Sequence, residues 1–213
     1  SQFEEDEIPV KDLFRSYEEM PLLEQKALQL AEGKILDVGA GSGCHTLALR
    51  KMGKEALAID ISPWSVKVME ARGLTARQVN LFDERFTERF DTILMLMNGS
   101  GIIGRLERMG DFFRRSRQLL NPGGQILMDS SDLRYLFEDE DGSYLVNLAG
   151  NYYGEIDFRM QYKQVKGDSF DWLYVDFDTL SAYAAQCGFR AECIQEGSHY
   201  DYLARLTVTN EAL

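Results

Sequence analysis

Two hydrophobic rhythms divide this chain. Ile35-Leu36-Asp37-Val38 is a short apolar run. Three glycines follow at alternate positions (Gly39, Gly41 and Gly43), and the apolar residues from Leu47 onward then take a helical period. This order predicts a strand, a tight turn and a helix ending at Met52-Gly53. Residues 55–60 predict a second strand, Pro63 to Arg72 a helix closed by Gly73, and Thr75 to Asn80 a third strand. Phe90 to Met97 is almost unbroken apolar sequence, the pattern of a parallel strand covered on both faces. A helical region follows over 105–120, with Gly110-Asp111 as its point of interruption. Asn121-Pro122-Gly123-Gly124 then turns the chain into a strand over 125–129.

On either side of this core the pattern changes. Leu13, Phe14, Tyr17 and Met20 form a partly helical apolar set, and Pro21 opens a helix carrying Leu22, Leu23, Ala27, Leu28 and Leu30. Residues 1–32 therefore read as an N-terminal cap and 33–213 as the main domain. From Glu155 to Tyr162 apolar and polar residues alternate strictly, Gly167-Asp168 reads as a turn, and Phe170 to Val175 is a second aromatic strand. This is an inserted β-hairpin within 150–176, which needs the main domain or a partner to lie against. Asp178 is placed as the cap of a helix to Cys187, and strands over 189–195 and 202–208 close the chain.

Composition narrows the picture. Length (213 residues) and 45% hydrophobic content fit one α/β domain with a full core. No run of about 18 apolar residues offers a membrane span. Cys44, Cys187 and Cys193 lack disulfide or metal spacing and read as free thiols of a reducing, cytoplasmic compartment. A net charge of −12 repels phosphate backbones, which disfavours bulk nucleic acid as a partner. Residues 1–7 read as a frayed end, and Glu138-Asp139-Glu140-Asp141 as a solvated acidic loop.

The glycine spacing is G-x-G-x-G, with Asp37 two positions ahead. It is neither the dinucleotide fingerprint nor a P-loop, whose lysine is missing. It resembles the D-x-G-x-G-x-G first motif of the class I S-adenosylmethionine-dependent methyltransferases. The resemblance runs from about Ile35 to Asp129 with several motifs in order. It implies a three-layer α/β/α, doubly wound fold, whose mostly parallel seven-stranded sheet has an antiparallel last strand, with the hairpin inserted after the fifth.

It also implies S-adenosylmethionine as cofactor, over the loop Asp37, Gly39, Ala40, Gly41 and Gly43. Asp60 ends the second strand, 17 residues beyond Gly43. One carboxylate there can accept from both ribose hydroxyls. Ile61 and Trp64 take the place of apolar packing against the adenine, with core or surface packing as the alternative for Trp64. Asn80, followed by Leu81, takes the place of the adenine-binding Asp, with Asp83 as the alternative. Asn98-Gly99 stands where relatives hold the methyl-transfer motif, although the Asn-Pro-Pro-Tyr signature is absent. A segment ahead of the first strand often covers the cofactor in relatives, which would turn Arg15 and Tyr17 toward ligand. The alternative for both is a packed surface helix.

Methyl transfer from a sulfonium is an in-line displacement that needs alignment above all, and a base only if the acceptor must lose a proton. Asn98 and His199 are the catalytic candidates. If an antiparallel seventh strand lies beside the fifth, His199 comes near Asp129 and Asn98. Tyr200, Tyr202 and His45 are further substrate candidates. A helix N-terminus would lower the His45 pKa, although His45 and His199 both also read as surface residues. No metal constellation is visible. Scattered carboxylates such as Asp129 leave metal-assisted transfer open, but two histidines argue against it. The expected activity is methyl transfer to a small-molecule acceptor. The alternatives are an S-adenosylmethionine-binding regulator without transferase activity, or aminopropyl transfer on the same fold.

Overall fold

In the computed structural model, which describes residues 7–137 and 151–209, every residue of the first strand, β1 (Ile35–Val38), is buried. Its flanks are β2 (Ala56–Asp60) and β4 (Phe90–Met95), both parallel to it, with β3 (Ala76–Gln78) beyond β2. Next to β4 lies β5 (Leu120–Ser131), followed by β9 (Asp201–Val208) and β8 (Phe189–Glu196). β9 is antiparallel to both its neighbours, with Asp129 opposite Leu203 and Ser130 opposite Tyr202. The sheet thus has the seven strands, mostly parallel direction and antiparallel last strand that the motif resemblance implied.

Strand alternation supplies the three layers. Ile35, Leu94, Leu127 and Leu203 face α1 (Leu22–Leu30) and α2 (Cys44–Lys51). Leu36, Ile93, Ile126 and Leu206 face α4 (Met109–Leu119) and α5 (Phe177–Gln186). Phe112 and Phe113 are fully buried there, each worth roughly 1.5–3 kcal/mol of apolar transfer. α3 (Pro63–Ala71) puts Met69 against Ala40 and Ala58.

The hairpin is β6 (Glu155–Tyr162) with β7 (Val165–Leu173), and two features seat it. The Trp172 indole lies on Gly101, where a Cβ would stand 1.8 Å from the ring. Arg105 pairs with Asp157 at 2.8 Å and Asp171 at 2.6 Å, and reaches Glu155.

Several expectations need correction. The hairpin turn is Lys163-Gln164, not Gly167-Asp168: Tyr162 pairs with Val165, and Lys163 takes φ +53°. Asp176, not Asp178, caps α5, its carboxylate accepting from the Thr179 N–H at 2.9 Å. α4 is unbroken because Gly110 falls in its first turn, after a short 3₁₀ turn over Leu106–Arg108. The apolar set before Pro21 forms two 3₁₀ turns, Val10–Phe14 and Tyr17–Glu19. β4 stops at Met95, where Met97 and Asn98 turn to positive φ. The acidic loop 138–141 lies outside the described residues. Among those residues, no helix is long and apolar enough to cross a membrane.

Candidate functional site

The carboxyl ends of β1, β2, β4 and β5 converge, and ligands of open α/β sheets bind at such an edge. The glycine loop begins directly after Val38. The Gly39 and Ala40 N–H groups both donate to the Ile59 carbonyl, which clips the loop to β2. Gly43, at φ +79°, starts α2 and packs so closely that a Cβ would meet Leu74 and Met69 within 3 Å. Gly41, at φ +56°, faces open space, with nothing within 4 Å of where a Cβ would stand. The loop therefore presents bare backbone on its outer side.

Asp60 ends β2 beside this loop. Its Oδ2 accepts from the Gly41 N–H and its Oδ1 from the Ser62 N–H, both at 2.8 Å. Ser62 caps α3 as expected, accepting from the Ser65 N–H at 3.3 Å. The Asp60 carboxylate is thus oriented by two main-chain donors, and it stays half-exposed with further lone pairs to offer. Beside it Ile61 and Trp64 are 69% and 71% exposed, two large apolar side chains left uncovered at the mouth. Asp37 is buried beneath the loop and accepts from the Thr46 hydroxyl at 2.5 Å. Its burial holds the carboxyl above the usual range, against the opposing pull of His45 and Thr46.

At the third strand, Asn80 is exposed and its Oδ1 accepts from the Phe82 N–H at 2.9 Å, while Leu81 is buried. Asp83 is committed to Arg85, whose hydrogen bonds hold its pKa down to about 2. Of the two adenine candidates, Asn80 keeps its amide free beyond a local turn, and Asp83 does not.

Past β4, Met97 (φ +66°) and Asn98 (φ +54°) are consecutive non-glycine residues in left-handed conformation. Such residues cost on the order of 1–3 kcal/mol each and collect at functional sites. β5 holds them in place. The Asn98 Oδ1 accepts from the Ser131 hydroxyl at 2.8 Å, and the Gly99 N–H donates to Asp129 Oδ1 at 2.9 Å. Asp129 is 8% exposed, and its burial pushes the carboxyl pKa up to about 6.

The N-terminal segment closes one side. The Ser42 hydroxyl donates to the Leu13 carbonyl, the Arg72 guanidinium to the Ser42 carbonyl at 2.6 Å, and that guanidinium lies over the Phe14 ring. Arg15 pairs with Glu24, and the Tyr17 hydroxyl accepts from the Gln29 amide at 2.8 Å. His45 departs from expectation. It is buried, with Nε2 2.8 Å from Glu24 Oε2. Burial pulls its pKa down, but the Glu24 hydrogen bond and the charges of Asp37 and Glu24 prevail and hold it above the usual value. It is therefore no surface residue, and its pKa moves up, against the lowering that a helix N-terminus alone would give.

His199 is exposed in the β8–β9 turn, with its N–H on Asp201 Oδ1 at 2.9 Å. That turn lies at the same sheet edge as Asp129. Among the described residues, however, no hydrogen bond or ion pair joins the His199 imidazole to Asn98 or to the glycine loop. Tyr200 is exposed and stacks on Tyr135 at 4.8 Å. Tyr202 is buried, its hydroxyl spent on the Val175 carbonyl at 2.7 Å. Glu24, Ser42, Arg72 and Ser131 escape sequence reasoning because each meets a partner at least 21 residues away. Asp129 carried one signal, a carboxylate at the end of an apolar strand.

A groove of about 670 Å³ opens elsewhere, at the amino ends of the strands, lined by Gln29, Lys54, Gln125 and Arg205. It does not reach the glycine loop. There Lys54 caps α1, donating to the carbonyls of Leu28, Gln29 and Ala31.

Strand order, glycine loop and the acid on β2 define a Rossmann-like methyltransferase fold. Residues 36–126 match the family model described as a methyltransferase domain. An uncharacterized methyltransferase of Staphylococcus carnosus is 31% identical over 198 residues, covering 92% of this chain and 87% of that protein. The crystal structure of a SAM-dependent methyltransferase from Bacteroides fragilis in complex with S-adenosyl-L-homocysteine superposes with a TM-score of 0.92. It is 72% identical over 98% of this chain and 85% of that one. A ubiquinone biosynthesis O-methyltransferase of Xanthomonas oryzae matches over 48% of this chain at 28% identity, and over only 45% of its own length. The chain belongs to the S-adenosylmethionine-dependent methyltransferase family, and S-adenosylmethionine is its cofactor.

The site fits that cofactor. Gly41 leaves the loop surface free of side chain, and Asp60 has acceptor capacity beside it.

Proposed function

We propose that this methyltransferase acts on a small-molecule acceptor held at the carboxyl edge of the sheet, between the glycine loop and the Asn98–Asp129 corner. The observation that carries the reading is the Asp60 carboxylate, held beside a bare loop by the Gly41 and Ser62 N–H groups. In this assignment Asp60 accepts from the ribose hydroxyls, and Ile61 and Trp64 cover one face of the adenine. The Asn80 amide and the main chain at Leu81 meet the adenine edge. The loop from Asp37 through Gly39, Ala40, Gly41 and Gly43 lies under the cofactor, and Asn98 and Gly99 border the methyl position. The bound cofactor supplies an electrophilic methyl carbon. The chain's task is to align the acceptor and exclude water.

The cap proposed over residues 1–32, of which 7–32 are described, is supported by the contacts of Leu13 and Phe14 with Ser42 and Arg72. His199 and Tyr200 stand at the acceptor's outer rim, and Arg15, Tyr17 and His45 shape the inner wall through Glu24 and Gln29. A cytoplasmic setting accords with three free cysteines. The experiment is transfer of label from methyl-tritiated S-adenosylmethionine into a pooled metabolite extract. Label in low-molecular-weight product supports the reading, and label only in protein or nucleic acid contradicts it.

A further inference from the structure

Resting on the methyltransferase reading, we infer that the acceptor is an amine and that Asp129 is the residue that receives it and takes its proton.

Asp129 sits one residue past the last β4–β5 pair, Met95 with Met128, at the corner that borders the methyl position. The Gly99 N–H, at 2.9 Å, and the Asn98 N–H hold its carboxylate; among the described residues no side chain donates to it and no cation forms an ion pair with it. Leu203 pairs against it from β9. The charged groups near it are Glu24 on α1 and His45 on α2, and these are tied to each other. Two further carboxylates stand beyond it: Asp132 follows β5 and the buried Asp176 caps α5, with the Tyr153 hydroxyl 2.8 Å from the first and 3.0 Å from the second. Two cations near it are paired, Arg134 with Asp132 at 2.7 Å and Arg15 with Glu24, and the Arg72 guanidinium at the glycine loop is bonded to Ser42.

This arrangement discriminates between acceptor chemistries. An alcohol, phenol or carboxylate must present a developing or full negative charge, and the Asp129 carboxylate, with no cation paired to it among the described residues, opposes it. A protonated amine is attracted by the same field. It must lose one proton before its nitrogen has a lone pair to use, and a carboxylate already raised toward neutrality is suited to take it. The balance is simple. The ammonium N–H breaks, its proton goes to an Asp129 oxygen, and the bonding pair stays on nitrogen. That pair forms the N–C bond as the C–S bond breaks, with its electrons going to sulfur, which becomes a neutral thioether. Removing the proton first also spares a cation from meeting the sulfonium.

The test offers the full chain with S-adenosylmethionine a panel of primary and secondary amines, each with its matched alcohol, phenol and carboxylate. S-adenosylhomocysteine release and product mass are read. N-methylated products from amines alone are expected. Release with the oxygen acceptors instead, or with no member of the panel, overturns the proposal. Asp129→Asn keeps an acceptor for the Gly99 N–H. With the best amine it is expected to lose at least about 100-fold in kcat/KM, and the low-pH limb near 6, while S-adenosylmethionine affinity by calorimetry is unchanged. Asp129→Asn with wild-type kcat/KM and pH profile overturns the role. Failure of the underlying reading is separate: label from methyl-tritiated S-adenosylmethionine would then enter only protein or nucleic acid of the pooled extract, with no low-molecular-weight product.

Discussion

The indole of Trp172 occupies the space where any residue other than glycine at position 101 would carry its Cβ, 1.8–2.2 Å from the nearest ring atoms. A two-stranded hairpin is marginal alone, and this contact with the Arg105 cluster fixes it to the loop after β4. The same loop carries Asn98 and Gly99, so the insertion buttresses the corner proposed for methyl transfer. Gly101→Ala should cost about 1–3 kcal/mol through overpacking, lowering Tm by roughly 2–12 °C. In a Trp172→Ala background most of that cost should vanish. Thermal melts of the double-mutant cycle check it, and additive losses would mean that the contact is not the cause.

The buried pair His45–Glu24 makes stability depend on pH in a definite direction. His45 has its folded pKa raised above 6.5, so its contribution is complete below that value and fades as pH rises through the folded pKa. The Tm advantage of wild type over His45→Gln should therefore shrink from pH 6 to pH 9. Glu24→Ala leaves both His45 and Arg15 without their anion and should cost about 3–5 kcal/mol. A pH-independent difference for His45→Gln would show that the imidazole is neutral in the fold.

Asp129 contributes with the opposite economy for an acid. Its folded pKa of about 6 exceeds the ordinary 3.8, so stability falls as pH rises between those values and stays lower above them. A shift of about two units is worth on the order of 3 kcal/mol. Asp129→Asn should raise Tm at pH 7–8 relative to wild type and flatten the decline from pH 4 to 6, as expected of the proposed base if it is held at a cost to the fold. Urea melts across that range check the sign, and a destabilised Asn variant at pH 7.5 would contradict it.

Local chemistry was readable in the sequence, and chemistry shared across the sheet was not. Gly39, Gly41, Gly43 and Asp60 stand out because turn geometry and strand ends mark them within a few residues. The sheet followed from apolar runs and the motif resemblance. Gly167-Asp168 misled because a Gly-Asp pair is strong turn chemistry. The actual turn uses Lys163 at φ +53°, against its local preference, and is enforced by pairing along the hairpin. Asp176 and Asp178 differ only in whether the carboxylate meets the Thr179 N–H, which helical spacing does not resolve. His45 looked like a surface residue because its partner, Glu24, lies on another helix.

The most direct measurement is calorimetric titration of S-adenosylmethionine into wild type and Asp60→Ala. Losing a charged acceptor for ribose hydroxyls removes roughly 1.5–3 kcal/mol, a tenfold or greater rise in Kd. Circular dichroism and Tm should stay close to wild type, since Ser62 still caps α3. Tight wild-type binding that weakens at least tenfold in Asp60→Ala is the predicted result. An unchanged Kd in a folded Asp60→Ala would contradict the placement of the cofactor on the Gly41–Asp60 corner.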